Sequence, residues 1–511
     1  MNIIKATATV SLFTMLSRIT GFLRDIAIAA CVDKWLCDIF IISTKLGNML
    51  RKVFAEGAFH ASFVPRFSDI LHRRGPQEAQ RVASEAFSFL FSVVSLICVL
   101  VCVFYHYVLK LVAPSFQIGS FRYAIGMETG RICFWFIVAA SLSALLSSIL
   151  NAYNKFALSS SIQCIFNLLL MSAVLIGPLC FSNVAYIMSI AVLTAGLIQV
   201  LVLWFRVRQV AFSVKFTPRF FSSEVKDISR HMLPGMLSSG VWQINMLVDM
   251  RMASSLSVGT VTYIHFADRI NQLPLSLIGV AVGTSLLVAL SSSFNKNKLR
   301  LANAQFNTSV LLVTSLSIPA LFIAFILAPE LITIVFKRGC FNERDAMITA
   351  QVLMGLLTGL PAYVLSKVFS AAFFASKDTK TPVKVGILSV IVNIAVLYTL
   401  TPIFAHIGIA LATSISSWVN VILLYCILHR RAVVKIYAST WRKILLQLTS
   451  ITATSILVYA LAMISRSRQF TGFQLTLMTL FSMFAGMLAF VFIGHRLGGF
   501  NARAFLRHIR K

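Results

Sequence analysis

Apolar residues in this chain come in long blocks separated by short polar connections. An α-helix rises about 1.5 Å per residue, so roughly 20 apolar residues cross the hydrocarbon core of a bilayer. About fourteen blocks reach that length. They lie near 8–30, 37–61, 84–109, 130–152, 160–180, 184–205, 231–253, 261–290, 307–328, 347–374, 384–402, 407–428, 443–464 and 472–494. The pattern predicts an all-α polytopic membrane protein with about 14 transmembrane helices. Alternate connections collect Lys and Arg: Arg66, Arg73, Arg74 and Arg81 in one, Arg206, Arg208, Lys215 and Lys226 in another, Lys377, Lys380 and Lys384 in a third. That bias marks the cytoplasmic side. It predicts both termini in the cytoplasm, Arg74, Lys215 and Lys435 inside, and Asn183 and Arg344 outside. No connection is long enough for an extramembrane domain, so the chemistry is expected inside the membrane.

Residues 11–65 break the pattern. Their apolar content is that of two spans, yet they hold Arg18, Arg24, Asp25, Asp38, Lys45, Arg51, Lys52 and Glu56. An ionised side chain at the bilayer centre costs at least about 2.5 kcal/mol, so such groups normally face water and mark a substrate path. Cations outnumber anions here, which points to a wet, positively charged cavity that receives an anion. At about 100° per residue, Asp38, Lys45, Lys52 and Glu56 fall within about 40° of one another, with Asn48 about 80° away. Arg18 and Asp25 share a face with Gly21 between them, and Arg24 points about 120° from Arg18. Arg51 lies off the stripe of its own helix. Snorkelling to headgroups accounts equally well for Arg51, Lys52 and Glu56. It does not account for Arg18, about 15 Å deep.

A second buried cation follows. Asp268 and Arg269 lie inside the eighth span, within YIHFADRINQLP (263–274). Pro234-Gly235 and Pro274 remove backbone hydrogen bonds from spans seven and eight and permit bending. His265 reads as a packed residue.

Composition changes the picture in two places. The formal charge of +29 would suggest nucleic acid in a soluble protein, but in a chain that is 58% hydrophobic it follows from the cytoplasmic charge bias, so no nucleic-acid partner is expected. The nine cysteines include no CxxC pair, and Cys98, Cys102, Cys133, Cys164 and Cys426 fall in apolar spans. They read as small apolar residues, with no metal site or disulfide framework. Ile28-Ala29-Ala30-Cys31 resembles a lipoprotein cleavage box, but Arg18, Arg24 and Asp25 before it do not suit a signal-peptide core, so no cleavage is expected.

A faint repeat appears at a spacing of about 226 residues, setting Gly57 against Gly283 and Asn167 against Asn393. It predicts two pseudo-symmetric six-helix lobes, 1–226 and 227–440, with the substrate site between them. Residues 441–511 add two C-terminal helices and a basic tail.

These residues carry a resemblance. SRITGFLRD (17–25), followed over 38–65 by D-x-F-x-x-x-x-K-L-x-N-x-L-R-K-x-F-A-E-G-A-F-x-x-x-F-V-P, closely resembles the signature of the MurJ (MviN-type) lipid II flippases. FADRI (266–270) with LPLSLIGVAVGTSLL (273–287), and SKDTKTPVK (376–384), look like two further signatures of that family. The resemblance covers essentially the whole chain and implies a multi-pass protein of the bacterial cytoplasmic (inner) membrane, within the multidrug/oligosaccharidyl-lipid/polysaccharide exporter superfamily. It implies that lipid II, the undecaprenyl-pyrophosphate-linked peptidoglycan precursor, is flipped from the inner to the outer leaflet by alternating access. The family's functional positions match at Ser17, Arg18, Arg24, Asp25, Asp38, Asn48, Arg51, Glu56 and Arg269. Three departures stand out. Gly47 replaces the family's proline before Asn48, so the second helix is expected to bend differently. Cys31 to Cys37 replaces a glycine-rich turn. Span eleven has no carboxylate, so the sodium site of some members is not expected, although Asn393 matches one ligand.

The resemblance implies a diphosphate, which Arg pairs bidentately and Lys neutralises as a point charge. Arg18, Arg24 and Arg269 are therefore assigned to the diphosphate, with Ser17 and Asn48 alongside and Arg51 and Lys52 guiding it in. Asp25, Asp38 and Glu56 are expected to balance the cations when the cavity is empty. No cofactor is expected, membrane potential or a counter-ion remaining as the energy source; the other partners are membrane lipids, and the protein is expected to work as a monomer. Two rivals remain: a drug/cation antiporter or other lipid-linked oligosaccharide flippase of the superfamily, and a membrane glycosyltransferase, for which only Glu330, Glu343 and Asp345 are candidate carboxylates.

Overall fold

A backbone in lipid has no water to satisfy its polar groups, so apolar blocks of this length close their hydrogen bonds internally as helices. The computed structural model describes residues 3–53, 59–153, 155–180, 183–210, 213–218, 222–431 and 433–499. Among them every regular element is a helix. The chain packs as two compact units, the first made of residues up to Thr262 together with the tetrapeptide Arg338–Phe341, the second of the remainder.

Unit 1 begins with α1 (Ile3–Cys31), α2 (Lys34–Arg51), α3 (His60–Arg73), α4 (Pro76–Val103) and α5 (Tyr105–Val112). It continues with α6 (Phe121–Phe134), α7 (Phe136–Ala152), α8 (Phe156–Cys180), α9 (Val184–Gln209) and α10 (Ser223–Ser255). α1 runs along α8, α8 along α9, and α2 lies on α6. Ser120, Asn183 and Ser222 accept backbone N–H groups at the starts of α6, α9 and α10, as helix N-termini require. α10 runs unbroken past Pro234-Gly235.

α11 (Thr260–Pro274) starts in unit 1 and continues into unit 2. Pro274 closes it, and Leu275–Val280 winds as a π-helical turn, a local answer to the missing proline N–H. Unit 2 then holds α12 (Ala281–Asn295), α13 (Leu299–Ile326), α14 (Ala328–Phe336), α15 (Glu343–Leu357) and α16 (Leu360–Ala375). It ends with α17 (Lys380–Arg430), α18 (Ala438–Ser467) and α19 (Gly472–Arg496). α17 is two legs meeting at Ala405, whose φ of 45° and ψ of −124° leave helical space. α18 and α19 pack on each other and on α13, through Ile323, Leu327, Val458 and Ala462 and through Ile318, Ile451 and Phe490.

Ten helical segments among the described residues are long and apolar enough to cross a membrane. The helices of 18 residues or more that the set omits are α1, α2 and α10. The first two are the helices that carry the charged residues 18–52.

Candidate functional site

On α1, Arg24 and Asp25 are buried together, 9% and 0% exposed. Arg24 donates to Asp25 Oδ1 from Nε at 3.0 Å and from Nη2 at 2.6 Å. Its Nη1 donates to Asn167 Oδ1 on α8 at 3.0 Å. The same Asn167 amide donates back to α1, to the Ser17 carbonyl at 2.9 Å and to Thr20 Oγ1 at 3.1 Å. Gly21 makes room for it, since a Cβ there would sit 3.3 Å from Asn167 Nδ2. One side-chain amide therefore spans two turns of α1 and fixes the Arg24 guanidinium. Arg24 and Asn167 thus place their donors on acceptors, as a low-dielectric site demands.

Arg18 differs. It is exposed, and among the described residues it makes no hydrogen bond or ion pair. The helical wheel sets Arg18 and Asp25 on one face, but burial separates them: Asp25 lies within the packing of unit 1 and Arg18 outside it. Ser17 contributes its carbonyl, which also accepts from the Thr20 hydroxyl at 3.0 Å.

On α2 the charged stripe is graded. Asp38 is 3% exposed, Lys45, Asn48 and Arg51 are half-buried, and Lys52 is exposed. Asp38 holds the start of α11: Oδ2 accepts from the Gly259 N–H at 2.6 Å, and Oδ1 from the Thr262 N–H at 2.9 Å and hydroxyl at 2.7 Å. Those amides are the orphan donors of a helix N-terminus, which favour a carboxylate. Arg122 Nη2 is 3.8 Å from Asp38 Oδ2 and stacks over Phe116 at 4.7 Å. Asn48 accepts from Arg51 Nε at 3.2 Å. α2 runs as a helix through Gly47, where an added Cβ would meet only the Cys133 carbonyl at 3.6 Å. Glu56 and Gly57 lie outside the described residues.

In unit 2, Arg269 and Asp268 are half-buried on α11, and Asp268 accepts from Gln272 one turn on. Sequence reasoning passed over Lys367, the one cation within the 347–374 block. It is exposed on α16, and its stem lies against two glycines: a Cβ at Gly283 would be 3.4 Å from Lys367 Cβ, and one at Gly279 3.7 Å from Cγ. A Cβ at either glycine of LIGVAVG would make only ordinary contact with the Lys367 stem. The signal available was its isolation among apolar residues. Asn167 and Arg122 were also missed as site residues, because nothing near them in sequence shows what they face.

The three carboxylates that a glycosyltransferase would need have structural work. Glu330 pairs with Arg466 at 2.7 Å, Glu343 with Lys337 at 3.1 Å. Asp345 closes the capping box of α15 with Asn342 and accepts from the Tyr263 hydroxyl at 2.6 Å. Among the described residues no three His, Cys, Asp or Glu side chains group as metal ligands.

The family model described as lipid II flippase MurJ matches residues 31–483. The chain belongs to the MurJ family. A probable lipid II flippase MurJ of Rhizobium tropici is 32% identical over 439 residues, covering 84% of this chain and 82% of that one. One of Rickettsia prowazekii (strain Madrid E) is 30% identical over 452 residues, covering 86% and 87%. A solved lipid II flippase MurJ in an inward closed conformation has the same fold, with a TM-score of 0.79 at 22% identity over 98% of this chain and 99% of that one. An inward-facing multidrug resistance MATE transporter of the MOP superfamily is more distant, with a TM-score of 0.69 at 13% identity over 83% and 98%. Membership of the MurJ family makes this chain a multi-pass transporter of the bacterial inner membrane and not an enzyme.

Proposed function

We propose that the chain carries lipid II, the undecaprenyl-diphosphate-linked peptidoglycan precursor, from the inner to the outer leaflet by alternating access. The observation that carries this reading is Arg18: an exposed guanidinium without a protein partner among the described residues, on an apolar helix, just under two turns from a buried Arg24–Asp25–Asn167 network. A guanidinium in that position is costly unless an anion or water meets it, and a diphosphate offers it a bidentate partner. Arg269 and Lys367 supply cations on the helices of unit 2, and Arg51 and Lys52 at the end of α2 attract the headgroup. Arg24 differs in role: with its donors on Asp25 and Asn167, it sets the field around Arg18. Asp25 balances Arg24, and Asp38 anchors α11. The polyprenyl tail stays in lipid.

The cytoplasmic charge bias supports placing both termini inside. Return of the empty carrier is coupled to membrane potential, since one charge moved through 100 mV is worth about 2.3 kcal/mol. The protein acts as a monomer. The test is purified protein in vesicles with fluorescent lipid II and an impermeant quencher. Wild type should move the probe between leaflets, and Arg18→Ala should not. Equal rates in protein-free vesicles would overturn the reading, and flipping unaffected by collapse of an imposed potential would remove the coupling.

A further inference from the structure

Cys31 ends α1, and Cys340 lies in the tetrapeptide Arg338–Phe341 that belongs to the same unit. The Cys340 N–H donates to the Ala30 carbonyl at 2.9 Å. That carbonyl is one of the acceptors a helix C-terminus leaves without an intrahelical partner. Gly339 permits the approach: its φ is +56°, and a Cβ there would stand 2.0 Å from the Ala30 oxygen. Ala30 O is bonded through its carbonyl carbon to the Cys31 nitrogen, so standard bond lengths hold the two cysteine Cα atoms within about 7 Å. Disulfides span roughly 4.4–6.8 Å between Cα atoms. Both residues are free thiols in this structure, Cys31 half-buried and Cys340 exposed. Cys37, the other cysteine at this end of unit 1, is 1% exposed and out of an oxidant's reach.

We propose that Cys31 and Cys340 form a reversible disulfide on the outer face of the membrane, made by thiol–disulfide exchange with a disulfide-bearing oxidoreductase of the periplasm. The proposal rests on the outward placement of this end of α1, where thiols meet an oxidising compartment. Cys340, the more exposed thiol, loses its proton to water, and its thiolate attacks one sulfur of the oxidant's disulfide, displacing the other as a thiolate. The Cys31 thiolate then attacks the Cys340 sulfur in that mixed disulfide and releases the oxidant's second sulfur. The protein gives up two protons and two electrons, and the oxidant leaves as a dithiol. Desolvation of the sulfur and the nearby Asp33 carboxylate push the Cys340 thiol above its ordinary value. The thiolate is therefore scarce at neutral pH, and the bond depends on a strong oxidant and not on air. Once formed, it staples the 338–341 turn to α1.

The experiment uses the full chain in cell membranes, alkylated without reductant, digested and mapped by mass spectrometry. A peptide pair joined through Cys31 and Cys340 is expected. It should vanish after reduction, in Cys31→Ser, in Cys340→Ser and in cells without periplasmic thiol oxidase. Gly339→Ala, which keeps both thiols but unseats the turn, should lose most of the linked pair. Recovery of both cysteines fully alkylated without reduction overturns the proposal while leaving orientation intact. An impermeant maleimide applied to reduced, intact cells should label Cys340. No label there would overturn the outward placement and the disulfide with it.

Discussion

Arg24 and Asp25 are neighbours in sequence and buried together, so neither can be removed without stranding the other. Loss of one partner of a buried pair costs roughly 3–5 kcal/mol. Arg24→Ala should therefore lower the melting temperature and the yield of inserted protein as well as transport. Arg18→Ala should leave both unchanged and abolish transport, and Arg269→Ala should likewise be made normally and fail to support wall synthesis. Arg18→Lys should recover part of the activity, keeping charge but losing the fork, and Arg18→Glu should be worse than alanine. Complementation of a depletion strain, with membrane levels measured alongside, reads all five; full activity in both Arg18→Ala and Arg269→Ala would overturn the anion reading. Arg74→Ala removes an exposed pair with Glu224, worth under about 1 kcal/mol, and should be silent. The split between Arg18 and Arg24 was not legible in sequence. A helical wheel gives angles about one axis, whereas the difference here is made by Asn167, 143 residues from Arg24. Which residues are charged within an apolar helix was legible, because that cost depends on residue type and run length alone.

Among the elements, α17 combines two of the expected spans, and its corner rests on Ala405. A left-handed φ costs an L-residue roughly 1–2 kcal/mol that glycine avoids. Ala405→Gly should raise the melting temperature of the solubilised protein by an amount worth about 1 kcal/mol, and Ala405→Val should lower it. At the other end of α17 the SKDTK signature has a plain role. Asp378 accepts from the Thr381 hydroxyl at 2.6 Å and N–H at 3.0 Å, from the Lys380 N–H at 3.1 Å and from Arg431 at 2.7 Å. Chiefly through the Thr381 hydroxyl, the Asp378 carboxyl is held below its ordinary value. Its stabilisation is present above the unfolded carboxylate range, near pH 3.9, and is lost as pH falls through the lower folded value. Asp378→Asn should thus melt below wild type at pH 7, and the gap should close on acidification below about pH 4. A gap independent of pH would show that charge is not the cause. On α2, by contrast, the sequence pattern predicted one polar stripe, and the structure grades it from buried Asp38 to exposed Lys52. The amides that take up Asp38 come from residues 221 and 224 positions away, beyond any local pattern.

For the whole molecule, the all-helical membrane architecture was legible because block length and backbone satisfaction leave few alternatives. Orientation is the part that labelling must supply. Single cysteines at Arg74, Lys215 and Lys435 should be protected from an impermeant reagent in intact cells, and those at Asn183 and Arg344 should react. Reaction at Lys215 would invert the assignment. The turn at 338–341 brings a remote segment against the end of α1 through a close backbone contact. Gly339 approaches the Ala30 carbonyl so closely that a Cβ would have to displace main chain and not merely a side chain. Every amino acid reachable from a glycine codon by one base change carries a Cβ. Position 339 therefore has no neutral neighbour in sequence space, and a saturation library selected for function should return glycine there alone. Gly75 and Gly119 have open surroundings but positive φ, so there a side chain would be strained by the backbone alone and not by a clash.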